Sequence, residues 1–215
     1  MKLFNYWRSS TAYRVRIALE MKGLNYERVA VNLARNGGEN LAAQYLAVNP
    51  HGRIPSLMLD DGRVLIQSPA ILEYLEECHQ QPPLLPVAPE DRATVRAICA
   101  IIGCDIHPLN NVSILRVLRA AGHDEDFVQA WIRRWIEENF RVIEGMVGDR
   151  GFCFGDAPTL ADVYLIPQVY NARRFDTPME AFPKICKIEQ NCCSLPAFAK
   201  ASPEQQPDAV IHGAN

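Results

Sequence analysis

The chain has 215 residues, 48% of them hydrophobic and 22% charged, with a formal net charge of −3. That composition fits one large globular domain or two modest ones, and it excludes disordered and fibrous classes and a generally basic nucleic-acid binder. No apolar run reaches the roughly 18 residues of a membrane span, and Met1 leads into a strand-like pattern, so no signal peptide and no membrane partner are expected. The charge is uneven: the first 40 residues hold seven basic side chains against three acidic ones, a local +4, which leaves −7 for the remainder. Seven cysteines, an odd number without a C-x-x-C pair, read as buried or incidental thiols of a reducing, cytoplasmic compartment. None sits at metal-ligand spacing, so no metal is expected.

Residues 2–7 alternate and carry aromatics, the pattern of a short strand. Arg8-Ser9-Ser10-Thr11 then offers helix-capping side chains. Val15, Ala18, Leu19 and Lys22 recur at helical spacing, with Arg14 and Glu20 facing elsewhere, and this helix is expected to end near Gly23. A second strand falls at about 26–33, and residues 35–39 have turn composition. A weak helix over 40–47 runs into Asn49-Pro50. Strands at 55–59 and 64–66 flank Asp60-Asp61-Gly62, a hairpin signal. Ser68-Pro69 opens the next helix, with Ser68 as N-cap, Ile71, Leu72 and Leu75 inward, and Glu73, Glu76 and Glu77 in water. The order β-α-β-α-β-β-α makes the first two strands parallel and the hairpin antiparallel.

Residues 79–89 contain four prolines and almost no charge. The expected organisation is a first domain over 1–80, a linker over 81–89 and a helical domain over 90–215. In the last, Val95, Ile98, Cys99 and Ile102 form one apolar stripe, and Val128, Trp131, Ile132, Trp135, Ile136 and Ile143 mark a long buried helix. The tryptophans and methionines read as core. Thr159-Leu160-Ala161-Asp162 has the form of a capping box, and the Pro- and Gln-rich tail from Ser202 is expected to fray.

The strongest chemical feature is the run from Trp7 to Arg16. A strand ending in hydroxyl residues that start a helix gathers orphan N–H groups, the positive helix end and a polar side chain at one point, which suits an anion, a thiolate included. The same residues also read as an ordinary N-cap with solvated arginines. Ser68 admits two readings as well, a cap or a helix start aimed at a ligand carboxylate. Ile54-Pro55, just before a strand, suits a cis bond. His107 and His123 read as structural histidines and Arg173-Arg174 as solvated charges. No nucleophilic triad, phosphate-binding glycine loop or metal set is visible.

An α/β thioredoxin-like N-terminal domain followed by a proline linker and an all-α C-terminal helical domain resembles a cytosolic glutathione transferase. Within that superfamily, Arg8-Ser9-Ser10-x-x-x-Arg14-Val15-Arg16-Ile17-Ala18-Leu19 resembles the zeta-class signature S-S-C-x-W-R-V-R-I-A-L. Further matches are Asn49-Pro50, Ile54-Pro55, Gln67-Ser68-x-Ala70-Ile71-x-Glu73-Tyr74-Leu75-Glu76-Glu77, Leu84-Leu85-Pro86, and Pro167-Gln168-Val169-x-Asn171-Ala172-x-Arg174-Phe175. The resemblance implies a homodimer that uses glutathione to isomerise a small dicarboxylic keto acid. Maleylacetoacetate, of tyrosine and phenylalanine catabolism, is the first substrate it brings, and maleylpyruvate, of gentisate degradation, the second. A generic glutathione transferase and a non-catalytic binding protein of the same fold are the remaining alternatives.

Carried over position by position, the resemblance implies that Ser9 hydrogen-bonds the glutathione thiolate, with Ser10 and Thr11 completing the catalytic helix start. Which of the three stabilises the thiolate stays open. Gln67 and Ser68 match the pair that holds the γ-glutamyl end, Ile54, with Arg53 beside it, the backbone that pairs with the cysteinyl part, and Asn40 a residue near the glycyl end. His107, Asn111 and Ser113 match further glutathione contacts, and Arg8 and Arg174 match arginines that bind substrate carboxylates. Two residues depart from the signature: Thr11 replaces Cys, and Tyr13 replaces Trp. Thr11 and the run Cys104–Asn111 resemble members acting on maleylpyruvate, whereas Val112 stands where those carry an additional arginine, which favours maleylacetoacetate. The implied chemistry is thiolate addition to the double bond, rotation and elimination. It asks the protein to lower a thiol pKa and to clamp a dianion.

Overall fold

In the computed structural model, which describes residues 1–210, a four-stranded sheet has the order β2-β1-β3-β4. The strands are β1 (Lys2–Asn5), β2 (Glu27–Ala30), β3 (Ser56–Met58) and β4 (Val64–Ile66). β1 runs parallel to β2, with Lys2 opposite Glu27, and antiparallel to β3; β3 and β4 form the hairpin. The element order predicted the parallel β1–β2 pair and the β3–β4 hairpin but left the β1–β3 pairing open, and every strand but β4 is shorter than its apolar pattern. Helices α1 (Ser10–Met21), α2 (Ala43–Leu46) and α3 (Ser68–Cys78) complete this part. α1 stops at Gly23, whose φ of +62° lets its own N–H and that of Leu24 return to the carbonyls of Glu20 and Leu19.

Three charged groups sit where the sequence reading put solvent. Glu76 is buried and pairs with Lys22 at 2.8 Å, and the Lys22 ammonium also donates to the carbonyls of His79 and Pro82. All three ammonium hydrogens therefore have acceptors, which makes burial of this pair tolerable. Arg14 and Arg16 are 1% and 0% exposed, not solvated. Arg16 is the clearer case, because its guanidinium meets four acceptors: the carbonyls of Ala201, Tyr6 and Trp7, and Asn5 Oδ1.

Met1–Pro83 and the segment from Ser194 form one compact unit, and Leu84–Cys193 form the other. This corrects the expected assignment of everything after residue 90 to the helical domain. It also corrects the frayed tail, as far as residue 210. A further helix, Pro196–Ala201 (numbered α9 below), packs on α1, and a short 3₁₀ turn, Pro203–Gln205, follows it. Gln206 is buried and donates to the carbonyls of Lys200 and Ser202. Ala209 packs against the cluster of Tyr6, Trp7, Val31, Tyr45 and Ile54. The partners of this tail lie some 190 residues back in the chain, beyond the reach of any local pattern.

The second unit comprises α4 (Pro89–Ala100), continued by a wider π turn over Ile101–Ile106, then α5 (Val112–Ala120), α6 (Glu125–Met146), α7 (Leu160–Arg174) and α8 (Pro183–Cys193). Val95, Ile98, Cys99, Ile102, Val128, Ile132, Ile136 and Ile143 are buried in its core as the spacing predicted, and Phe140 joins them. Trp131 and Trp135 are half-buried, not core, and meet edge to face at 5.7 Å. Nor is the proline-rich stretch a free tether, because Leu84 and Leu85 are buried and the Leu84 carbonyl accepts the Leu160 N–H at 2.8 Å.

The capping box forms: Thr159 Oγ1 accepts from Ala161 N–H, and Asp162 accepts the Thr159 N–H at 2.8 Å. Asp162 also takes the Cys153 N–H, and burial raises its carboxyl pKa. Among the described residues, no helix is long and apolar enough to cross a membrane.

Candidate functional site

The start of α1 is built by a tight turn. Ser9 N–H bonds the Tyr6 carbonyl at 3.0 Å, which puts Trp7 and Arg8 at the turn's centre and Ser9 at the helix N-cap. Ser9 Oγ accepts the Ala12 N–H at 3.3 Å and lies 3.0 Å from Thr11 Oγ1. The Thr11 hydroxyl donates to the Ile54 carbonyl at 3.2 Å. A hydroxyl has one hydrogen, so Ser9 is the donor within the Ser9–Thr11 pair. Turning the Ser9 hydrogen toward an incoming anion breaks a single bond and leaves Thr11 on the Ile54 carbonyl. Ser9 and Thr11 are half-buried, whereas Ser10 is 6% exposed inside the first helical turn. The Arg8 guanidinium lies 5.3 Å from the centre of the Trp7 ring.

The Ile54–Pro55 peptide is cis. The loop before it is held from beneath: the Arg53 carbonyl accepts from the Tyr45 hydroxyl and from Asn49 Nδ2, each at 2.7 Å. Tyr45 and Asn49 also reach Ser56 Oγ, at 2.8 and 3.1 Å. Burial pushes the Tyr45 hydroxyl pKa up, so it stays a neutral donor. Asn40 is tied into the same loop, its Nδ2 donating to the Gly52 carbonyl at 2.7 Å. The Arg53 side chain itself is exposed.

α3 begins differently from the predicted cap. Gln67, not Ser68, is the N-cap residue, with φ 69° and ψ 117° and no side-chain bond to the helix. Ser68 is the first helical residue and is buried, and Pro69, without an N–H, follows it. Gln67 Nε2 meets His51 Nδ1 at 3.1 Å. A non-glycine residue at this backbone angle is strained, a feature common at binding sites.

The remaining candidates belong to the second unit. Asn111 caps α5, and its Oδ1 accepts from Ser113 N–H and Ser113 Oγ, at 3.1 and 2.9 Å. His107 is half-buried at the end of the π turn, and Val112 is exposed. Trp131 Nε1 and Asn110 Nδ2 fasten this turn to α6 through the carbonyls of Leu109 and Ile132. Arg174 is the last residue of α7, exposed, with its guanidinium 4.7 Å from the Phe175 ring centre. The Phe175 carbonyl accepts from Gln129 Nε2 at 2.6 Å and Arg133 Nε at 3.3 Å. Arg173, expected to be solvated, forms a two-point pair with Glu189.

Sequence reasoning thus missed the supports of the named residues. Tyr45 and Ser56 beneath Ile54, His51 beside Gln67, and Gln129 and Arg133 behind Arg174 all act through atoms on distant segments, which leave no local signal. Asn49 was visible only as part of a matched dipeptide. Burial raises the thiol pKa of Cys153 and Cys192 well above the usual range, which disfavours these two as nucleophiles.

The donor set suits an anionic ligand: hydroxyls at one helix start, and a second helix start with no side-chain cap. The N-terminal domain family of glutathione S-transferases matches residues 1–77, and the C-terminal domain family matches residues 119–187. The maleylacetoacetate isomerase of Pseudomonas aeruginosa is 52% identical over 97% of this chain and 98% of its own length. The holo structure of a maleyl pyruvate isomerase, a bacterial glutathione-S-transferase of the zeta class, is 46% identical with a TM-score of 0.94, covering 98% of this chain and 100% of that one. A maleylacetoacetate isomerase from Anaeromyxobacter dehalogenans 2CP-1, solved with dicarboxyethyl glutathione and citrate in its active site, is 40% identical with a TM-score of 0.87, covering 98% and 97%. The chain belongs to the zeta class of glutathione S-transferases, the family of the maleylacetoacetate and maleylpyruvate isomerases.

Proposed function

We propose that this protein catalyses the glutathione-dependent cis–trans isomerisation of maleylacetoacetate to fumarylacetoacetate. The observation that carries the reading is the start of α1, where the Ser9 hydroxyl can turn toward an anion while Thr11 stays anchored on the Ile54 carbonyl. Glutathione, when bound, supplies the thiol that adds to the double bond and is released again after rotation. The chain's task is to hold that sulfur as an anion and to keep the acid in place. Ser9 and the positive end of α1 favour the anion by a hydrogen bond and a dipole. Ser10, buried in the turn, and Thr11, bonded to Ile54, fix its position. Ile54 offers main-chain pairing, with Arg53 beside it. Gln67 and Ser68 hold an amino-acid end at the uncapped start of α3, Asn40 borders the opposite end, and His107, Asn111 and Ser113 add contacts from the second unit. Arg8 and Arg174 take the two carboxylates of the acid, for which a guanidinium has matching two-point geometry. A base with a shifted pKa is not required.

Maleylpyruvate is the second reading, favoured by Thr11 in place of Cys and by the likeness to the maleyl pyruvate isomerase structure. The exposed Val112, without an arginine's charge, favours maleylacetoacetate. We further read the protein as a cytoplasmic homodimer with no nucleic-acid partner; its seven free cysteines support a reducing compartment. The test is to assay the purified protein with glutathione on both acids, beside Arg174→Ala. Isomerisation of maleylacetoacetate is expected, and the variant should raise KM for the acid about tenfold or more, the worth of one charged hydrogen-bonding partner. No activity on either acid overturns the reading, and faster turnover of maleylpyruvate promotes the second one.

A further inference from the structure

The turn that carries Arg8 and Ser9 is gripped from outside at its first central residue. Trp7 N–H donates to Asp208 Oδ2 at 3.0 Å, and the Trp7 carbonyl accepts from Arg16 Nη2 at 2.9 Å. Both backbone groups of one peptide-bearing residue are thus fixed by side chains. Arg16 extends the grip, donating to Tyr6 and Asn5 on the strand side and to the Ala201 carbonyl of the C-terminal segment. That segment is itself held, by Gln206 Nε2 on the carbonyls of Lys200 and Ser202 and by Ala209 against the cluster to which Tyr6, Trp7 and Ile54 belong. Burial draws the Arg16 pKa down to about 10, with Tyr26, Tyr13 and Asp208 opposing that shift, so the guanidinium keeps its charge at neutral pH.

We propose that Asp208 is a positioning residue: by holding Trp7 N–H, the C-terminal segment sets the place of Arg8 and Ser9 in the reaction. The role assigned to Asp208 is exerted through the turn, by its bond to Trp7 N–H. The inference rests on the proposed isomerase reading for its kinetic arm and stands apart from it for its structural arm. A turn released at one peptide can shift by about an ångström, which is enough to cost up to a hundredfold in rate at a reacting centre.

The experiment compares Asp208→Ala with Asp208→Asn, whose side-chain oxygen still accepts from Trp7 N–H. Each is measured for kcat and KM with glutathione and the maleyl acid at 25 °C, for thermal midpoint, and for hydrogen exchange at the Trp7 amide. Asp208→Ala is expected to lower kcat/KM for the acid about tenfold or more while the protein remains folded, and to lose Trp7 protection. Asp208→Asn should recover both to within about threefold, as the retained bond requires. If kcat/KM holds within twofold while only the thermal midpoint falls, the segment serves stability alone and the proposal is overturned. Equal loss in both variants overturns it as well. Should Asp208→Ala not fold, Gln206→Ala carries the test: a several-fold loss of kcat/KM in the folded protein supports the proposal, and an unchanged value overturns it. If the parent chain isomerises neither acid, the isomerase reading fails, and Trp7 exchange alone decides this one. Loss of protection in Asp208→Ala with recovery in Asp208→Asn supports it, and no change overturns it.

Discussion

Two helices of the first unit start in opposite ways. α1 begins at a half-buried turn with a hydroxyl cap, both Trp7 backbone groups tied, and Thr11 bridging to Ile54. α3 begins at an exposed residue with φ 69°, no side-chain cap, and a proline in its first turn. The first arrangement ties a hydroxyl by two hydrogen bonds, which suits its proposed role on a reacting sulfur. The second has no side-chain cap and a strained backbone, which suits its proposed role toward a ligand's polar end. Rigidity and openness are divided between the two starts of one domain.

Removing the hydroxyl from the tied start should have the largest effect. Ser9→Ala is expected to lower kcat roughly a hundred- to a thousandfold, the worth of one donor to a reacting anion. It should also destabilise the fold by about 1 kcal/mol through the lost cap. Steady-state kinetics and thermal melts check both, and an unaffected kcat would pass the role to Thr11 or Ser10. At the open start the two effects should have opposite signs. Gln67→Gly relieves the positive φ and is expected to stabilise by about 1 kcal/mol. It should nonetheless raise KM for glutathione about tenfold with kcat little changed, as loss of an amide contact to a charged ligand implies. A drop in kcat of Ser9→Ala size at this position would erase the division between the two starts. The smallest change expected is from Thr11→Val, which keeps the shape and removes two neutral hydrogen bonds, the one to the Ile54 carbonyl and the one from Ser9: a fall in kcat of roughly fivefold. A fall as large as that of Ser9→Ala would make Thr11 the donor.

Much of this was legible in the residues. The parallel pair and the hairpin followed from the order of elements, the helical core from Val95, Ile98 and Ile102 and from the stripe of α6, and the α7 cap from Thr159 and Asp162. The zeta-class motif pointed to Ser9, Gln67 and Arg174 before any geometry. The errors share one cause. Arg16 and Glu76 were placed in solvent because helical periodicity registers charge, not the acceptors or ammonium that a distant segment brings to meet it. Ser68 was read as a cap because Ser-Pro usually opens a helix, whereas the strained Gln67 takes that position. The tail after Ser202 read as frayed because proline and glutamine have no periodicity.

The sequence by itself determined the two-part architecture, the family and the helix start at Ser9, since all three are written in local spacing and composition. Only the tertiary structure decided that the chain's last described residues belong to the first unit. It alone brought Asp208 to Trp7, Thr11 to Ile54, and Gln129 and Arg133 to the end of α7. The physical reason is that a hydrogen bond needs two atoms at about 3 Å, and when they come from remote segments neither segment's own pattern records the other.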